Sequence, residues 1–110
     1  MNFPEPIQKR IKQVTELCIK HKVLRLYAFG SILRNDFNSQ SDIDLQAEFD
    51  EMPPIDKGEH ILELWDELEK LFGRKVDLLT NSKIQNPYLK EQVDLTKKLI
   101  YEYRNEKISV

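Results

Sequence analysis

The chain has one cysteine, Cys18, in 110 residues. A lone thiol excludes an intramolecular disulfide and cannot begin a thiolate metal cluster. Cys18 falls within an apolar helical pattern, where a small buried hydrophobe is expected. No apolar run approaches the roughly 18 residues that a membrane-spanning helix needs, and no charged-then-apolar leader opens the chain. A cytoplasmic protein is therefore expected. A basic excess is also missing. The formal net charge of -2 disfavours a protein that works by gripping nucleic-acid backbone. Neither repeats nor low-complexity linkers occur, and 40% hydrophobic with 33% charged residues suits one globular domain over residues 1–110.

The charge is unevenly placed. Residues 1–34 carry seven Lys/Arg against two acids, and residues 35–72 carry twelve acids against two Lys/Arg. An acidic middle suits a cation site, although acidic helix faces supply much of that count. Lys9, Arg10, Lys12 and Lys20 lie on the outer face of the first helix, as solvated charges or as a patch steering a nucleotide or partner.

Pro4 and Pro6 open that helix, and Ile7, Ile11, Val14, Leu17 and Cys18 carry its apolar stripe to about His21. Val23–Phe29 has strand composition, apolar on both faces, so a central strand is expected. Residues 42–50 alternate cleanly. Ile43, Leu45, Ala47 and Phe49 face one way; Asp42, Asp44, Gln46, Glu48 and Asp50 face the other. After Pro53-Pro54, Asp56 and Glu59 resemble a capping pair, and a stripe from Ile61 to Phe72 predicts a helix stopped by Gly73. Trp65 lies on that stripe, which favours a core role over a base-stacking platform. Residues 75–80 predict a third strand, and Asn86-Pro87 starts a last helix expected to run to Tyr103. The expected fold class is α/β (α+β), a small mixed sheet of about three strands with about four helices. The first two strands should be antiparallel, the third parallel to its neighbour.

Asp42 and Asp44, two residues apart on a strand, point to one face with Cα atoms roughly 6.5–7 Å apart. Carboxylates there can converge on ions spaced about 3.5–4 Å, as two-metal phosphoryl transfer requires. Like charges crowd that face unless water or a cation compensates, and hard oxygen donors select Mg²⁺ or Mn²⁺ over zinc. His21 and His60 are far from the motif in sequence and are expected at the surface. Asp77 stands in an otherwise apolar strand, so it needs a partner: a shared metal, or an ion pair with Arg74 or Lys75. It could also help deprotonate an attacking hydroxyl. Gly30 permits a turn that exposes backbone N–H groups, and Ser31 adds a hydroxyl at the head of a helical turn; both suit triphosphate binding. Arg34, one turn on, could reach a phosphate or pair with Asp36 or Asp44.

Gly30-Ser31, ten residues, Asp42-Ile43-Asp44 and the later Asp77 resemble the pattern of the DNA polymerase β-type nucleotidyltransferase superfamily. The flanks Leu-Tyr-Ala-Phe-Gly-Ser-Ile-Leu-Arg and Ser-Asp-Ile-Asp-Leu look like its minimal nucleotidyltransferase (MNT) branch. The resemblance implies a nucleotidyltransferase fold and transfer of a nucleoside monophosphate from an NTP to a hydroxyl, with pyrophosphate released. It implies two Mg²⁺ ions on Asp42 and Asp44, Asp77 completing the acceptor-side metal, and Gly30 and Ser31 on the triphosphate. MNT proteins resemble the antitoxins of type VII HEPN–MNT toxin–antitoxin pairs. That likeness implies AMP transfer from ATP to a tyrosine of a HEPN partner. Only one helix is expected after the third strand, so a partner would complete the site, and the wide apolar stripe of that helix would have a use. A non-catalytic antitoxin acting by docking is the main alternative. Transfer to a small molecule is disfavoured by the little chain left to wall an acceptor pocket.

Overall fold

In a computed structural model, the chain forms a four-stranded mixed sheet with helices. The structure describes residues 4–35, 37–80 and 86–103. In chain order the elements are α1 (Glu5–Gln8), α2 (Ile11–Lys20), β1 (Val23–Phe29), a 3₁₀ turn (Gly30–Leu33), β2 (Ile43–Phe49), α3 (Pro54–Phe72), β3 (Val76–Leu79), α4 (Pro87–Thr96) and β4 (Lys98–Glu102). The sheet order is β3-β2-β1-β4. β1 is antiparallel to β2 and β4, and β2 is parallel to β3. The apolar β1 is thus central, as its composition predicts.

Alternation decides which face of the sheet is covered. Leu26 and Ala28 of β1, Ile43, Leu45 and Ala47 of β2, and Val76 and Leu78 of β3 are buried in one core cluster. Ile7 of α1, Val14 and Cys18 of α2, and Leu64, Leu68 and Phe72 of α3 complete it. The i, i+4, i+8 spacing of the α3 residues puts them on one helical stripe. Because strand side chains alternate, Asp44, Gln46 and Asp77 belong to the opposite face of the sheet. Trp65 is partly buried against the core, where its Nε1–H donates to the Val76 carbonyl at 2.6 Å, tying α3 to β3.

Four local expectations change. The first helix is two, broken at Lys9–Arg10: Arg10 leaves helical geometry (φ -121, ψ 21), and its Nε–H donates to the Leu71 carbonyl at 3.0 Å. That carbonyl lies in the last turn of α3, where intrahelical donors run out. Asp56 caps nothing. Pro53 is the N-cap residue, Pro54 begins α3, and Asp56 sits in its first turn, where a negative charge suits the helix dipole. Gly73 ends α3 in left-handed geometry (φ 64), as expected. Asn86 caps α4 as predicted, its Oδ1 accepting from the Tyr88 and Leu89 N–H groups. The helix nevertheless stops at Thr96. Residues expected to extend it form β4 instead, because the open edge of β1 offers a ladder: Leu26 pairs with Tyr101, and Tyr103 N–H donates to the Leu24 carbonyl at 2.8 Å. Finally, His21 is not at the surface. It is 1% exposed, at the C-terminal end of α2.

Candidate active site

The end of β1 and the starts of β2 and β3 meet at one corner of the sheet. Phe29 pairs with Asp44 across the antiparallel ladder, and Asp44 pairs with Asp77 across the parallel one. The hairpin-like path from β1 to β2 therefore brings Gly30 back against Asp44. Gly30 has φ +73, a region that side chains disfavour. A Cβ there would also overlap the Asp44 carboxylate, lying 3.3 Å from its Cγ and closer still to Oδ2. Both backbone conformation and close approach demand glycine.

Ser31 ties the turn to the aspartates. Its Oγ–H donates to the Asp42 carbonyl at 3.3 Å, and its backbone N–H hydrogen-bonds to the Asp44 carboxylate. Burial pushes the Asp44 carboxyl above the usual carboxylate range, and the charges of Asp77 and then Asp42 push it the same way. The Ser31 N–H and the Arg34 charge oppose that rise without cancelling it. Three carboxylates thus crowd one corner, and Asp44, half-buried between the others, carries the strain of like charge.

The ion-pair explanation of Asp77 has little left to rest on among the described residues. The Arg74 guanidinium donates to the Asn38 and Ser41 carbonyls at 3.0 and 3.1 Å and lies over the Phe37 ring. Lys75 leans instead toward Asp42, at 4.0 Å. A hard divalent cation fits this corner on chemical grounds. It needs oxygen donors, and it would relieve the repulsion that raises Asp44. Asp42, Asp44 and Asp77 are the residues that could hold it. Arg34 follows the 3₁₀ turn, near enough for its charge to act on Asp44. It also lines a cavity of about 510 Å³ with Lys9, Arg10 and Arg74. Asp36, the other partner considered for Arg34, lies outside the described residues.

One group on the same sheet face escaped the sequence reading. Gln46, two residues beyond Asp44, is fully buried, and Lys97 donates to its Oε1 at 3.2 Å. The Lys97 ammonium also sits over the Tyr27 ring, 4.2 Å from its centroid, and pairs with Asp94 at 3.0 Å. The signal available was the position of Gln46 on the Asp face of β2; its partner, fifty-one residues on, gave none.

A sheet corner that gathers three aspartates beside a Gly-Ser turn is the kind of site a nucleotidyltransferase uses. The family described as "Polymerase beta, Nucleotidyltransferase" matches residues 12–106, and the chain belongs to that family. A Methanocaldococcus jannaschii protein classed by name among the protein adenylyltransferases is 39% identical over 94 residues, covering 78% of this chain and 93% of that one. A solved structure described as a minimal nucleotidyltransferase has a TM-score of 0.64 and 31% identity, covering 88% of this chain and 95% of the other. The structure of a tri-AMPylated Shewanella oneidensis HEPN toxin in complex with MNT antitoxin has a TM-score of 0.59, covering 87% and 72%. At 23% identity that last likeness speaks for the fold. No helix among the described residues is long and apolar enough to cross a membrane.

Proposed function

We propose that this chain is a Mg²⁺-dependent protein adenylyltransferase, the MNT antitoxin of a type VII pair, which moves AMP from ATP to a tyrosine hydroxyl of a HEPN toxin in the cytoplasm. The observation that carries the reading is that Asp77, paired with Asp44 across the ladder, and Asp42 both act by charge on Asp44, with Gly30 pressed against it. In the reaction the acceptor oxygen attacks the α-phosphorus, the bond to pyrophosphate breaks, and the hydroxyl proton leaves to a carboxylate. Asp77 is assigned that proton, as well as a share in holding the cation. Asp42 and Asp44 are assigned two Mg²⁺ ions, with Mn²⁺ as a substitute. When bound, the ions would neutralise charge on the phosphates and on the leaving group. Gly30 and Ser31 are assigned the triphosphate, and Arg34 a phosphate contact.

An acceptor site is supplied by the partner. α4 supports this reading: only Val93 is buried in it, while Tyr88, Leu89 and Leu95 are 71%, 46% and 72% exposed. Leu99 and Tyr103, in and just after β4, add 41% and 51% exposure. An apolar surface of that kind suits protein docking. The same surface favours a second reading, an antitoxin that neutralises its partner by docking alone.

The test is incubation with labelled ATP, Mg²⁺ and the HEPN partner. Label should pass to the partner and be lost on Asp42→Ala or Asp44→Ala. Normal transfer by both variants would refute the metal assignment. Under the docking reading both variants would still rescue growth when co-expressed with the toxin.

A further inference from the structure

The second cluster of metal-binding chemistry lies at the other end of β1. His21 lies two residues before that strand begins, whereas Gly30 and Asp44 meet at its far end, about 20 Å of extended chain away. Around His21 the structure gathers His60, Glu63 and Glu67, all from α3. Residues 60, 63 and 67 are spaced i, i+3, i+7 and share one helical face. His21 Nδ1 lies 3.0 Å from His60 Nδ1, and His21 Nε2 lies 2.9 Å from Glu67 Oε1.

The Glu67 contact fixes one proton. A carboxylate only accepts, so His21 Nε2 carries the hydrogen and donates it to Glu67. That leaves Nδ1, the other ring nitrogen, facing His60 inside a residue that is 1% exposed. Glu63, one turn beyond His60 on α3, adds a carboxylate beside this pair. One ligand atom from each of His21, His60 and Glu63 lies within 4.8 Å of the others. Two nitrogens bound to one tetrahedral Zn²⁺ at 2.0–2.1 Å stand about 3.3 Å apart, close to the spacing found here. Glu67 occupies the outer position that a carboxylate takes behind a metal-bound imidazole, fixing the ring and its tautomer. Lys20 holds Glu67 in turn, at 3.1 and 3.2 Å.

We propose that His21 Nδ1, His60 Nδ1 and the Glu63 carboxylate form a Zn²⁺ site that clips the end of α2 to α3, with Glu67 as its positioning residue. In the bound state both Nδ1 atoms offer lone pairs, with the His21 and His60 hydrogens on Nε2. Three protein ligands leave a fourth position, filled by water. Imidazole donors suit Zn²⁺, whereas the all-oxygen set of Asp42, Asp44 and Asp77 suits Mg²⁺, so the two corners select different ions. Entry is open, because Glu63 is exposed and His60 only partly covered. This inference is independent of the proposed adenylyl transfer.

The test uses the full chain carrying Asp42→Asn and Asp44→Asn, stripped of metal and held in excess Mg²⁺, so that the oxygen site cannot contribute. Calorimetric titration with Zn²⁺ should show one equivalent bound with a Kd of about 10 μM or tighter. Co²⁺ should give the intense visible bands of a four-coordinate ion. His60→Ala and Glu63→Gln, both on accessible positions of α3, should each weaken Zn²⁺ at least tenfold with far-UV circular dichroism unchanged. Glu67→Gln should weaken it about 10–100-fold without removing a ligand. Zn²⁺ should raise the melting temperature of the parent but not of His60→Ala. The proposal is overturned if the parent shows no saturable binding, or if His60→Ala or Glu63→Gln binds as the parent does.

Discussion

Asp44 and Asp77 face each other across the parallel β2–β3 ladder, and Asp77 is the charge that most raises the Asp44 carboxyl. Folding forces these acids together, so the corner is destabilised until something positive enters it. Removing one charge should therefore help the fold and harm the chemistry. In EDTA, Asp44→Asn is expected to raise the melting temperature by about 1–5 °C, from like-charge costs of about 0.2–1 kcal/mol. The amide can still accept from the Ser31 N–H. Mg²⁺ should raise the melting point of the wild type and leave Asp44→Asn little changed, while the variant's AMP transfer falls at least about 100-fold. Scanning calorimetry with and without Mg²⁺ checks the first part, and label transfer the second.

Gly30→Ala should be damaging on two counts. Left-handed geometry costs a non-glycine residue about 1–2 kcal/mol, and the new methyl would displace the Asp44 carboxylate. A loss of transfer activity comparable to that of Asp44→Ala is expected, with a lowered denaturant midpoint. Gly58→Ala is the control. It lies inside α3, where an added Cβ meets open space, so it should stabilise the protein by about 0.5–1 kcal/mol and leave activity alone.

The Cys18 thiol supplies the alkaline pH dependence. Burial pushes it up to about 12 from 9.0. A raised folded value means that its contribution to stability is complete below pH 9 and is lost as pH climbs from 9 toward 12. Over that window each pH unit should remove about 1.4 kcal/mol. Cys18→Ala should abolish that component in urea unfolding measured between pH 8 and pH 11. The native thiol should also resist alkylation at pH 8 and react only on unfolding.

Leu95 tests the exposed side of α4. It is 72% exposed, so Leu95→Asp should change stability by no more than about 0.5 kcal/mol. Co-purification with the HEPN partner should nevertheless be lost, and AMP transfer with it, whereas the aspartate variants should lose transfer and keep the partner.

What the sequence disclosed was whatever local pattern determines. The alternation of residues 42–50 put Asp42 and Asp44 on one face, and Gly73 and Asn86 marked helix ends through their own backbone and side-chain chemistry. What escaped depends on distant partners. The burial of His21 needs His60 and Glu67, thirty-nine and forty-six residues away, to satisfy its two nitrogens. The Gln46–Lys97 contact joins residues fifty-one apart in the chain. β4 was hidden for a related reason. Residues after Thr96 continue an apolar helical pattern, but the vacant edge of β1 outweighs a helical turn in which little would be buried. The break at Arg10 likewise exists for a carbonyl sixty-one residues on.

β1 takes one ladder partner from nearby in the chain and the other from far along it. β2 begins fourteen residues after β1 ends, whereas β4 waits until residue 98. Closing a short loop costs less entropy than closing a long one, so β1 and β2 can pair early and β4 must dock late. Gly30, Ser31, Asp42 and Asp44 all belong to the early piece. β4 should accordingly exchange its amide hydrogens sooner than β2 does, opening and closing at the sheet edge while the aspartate corner stays assembled.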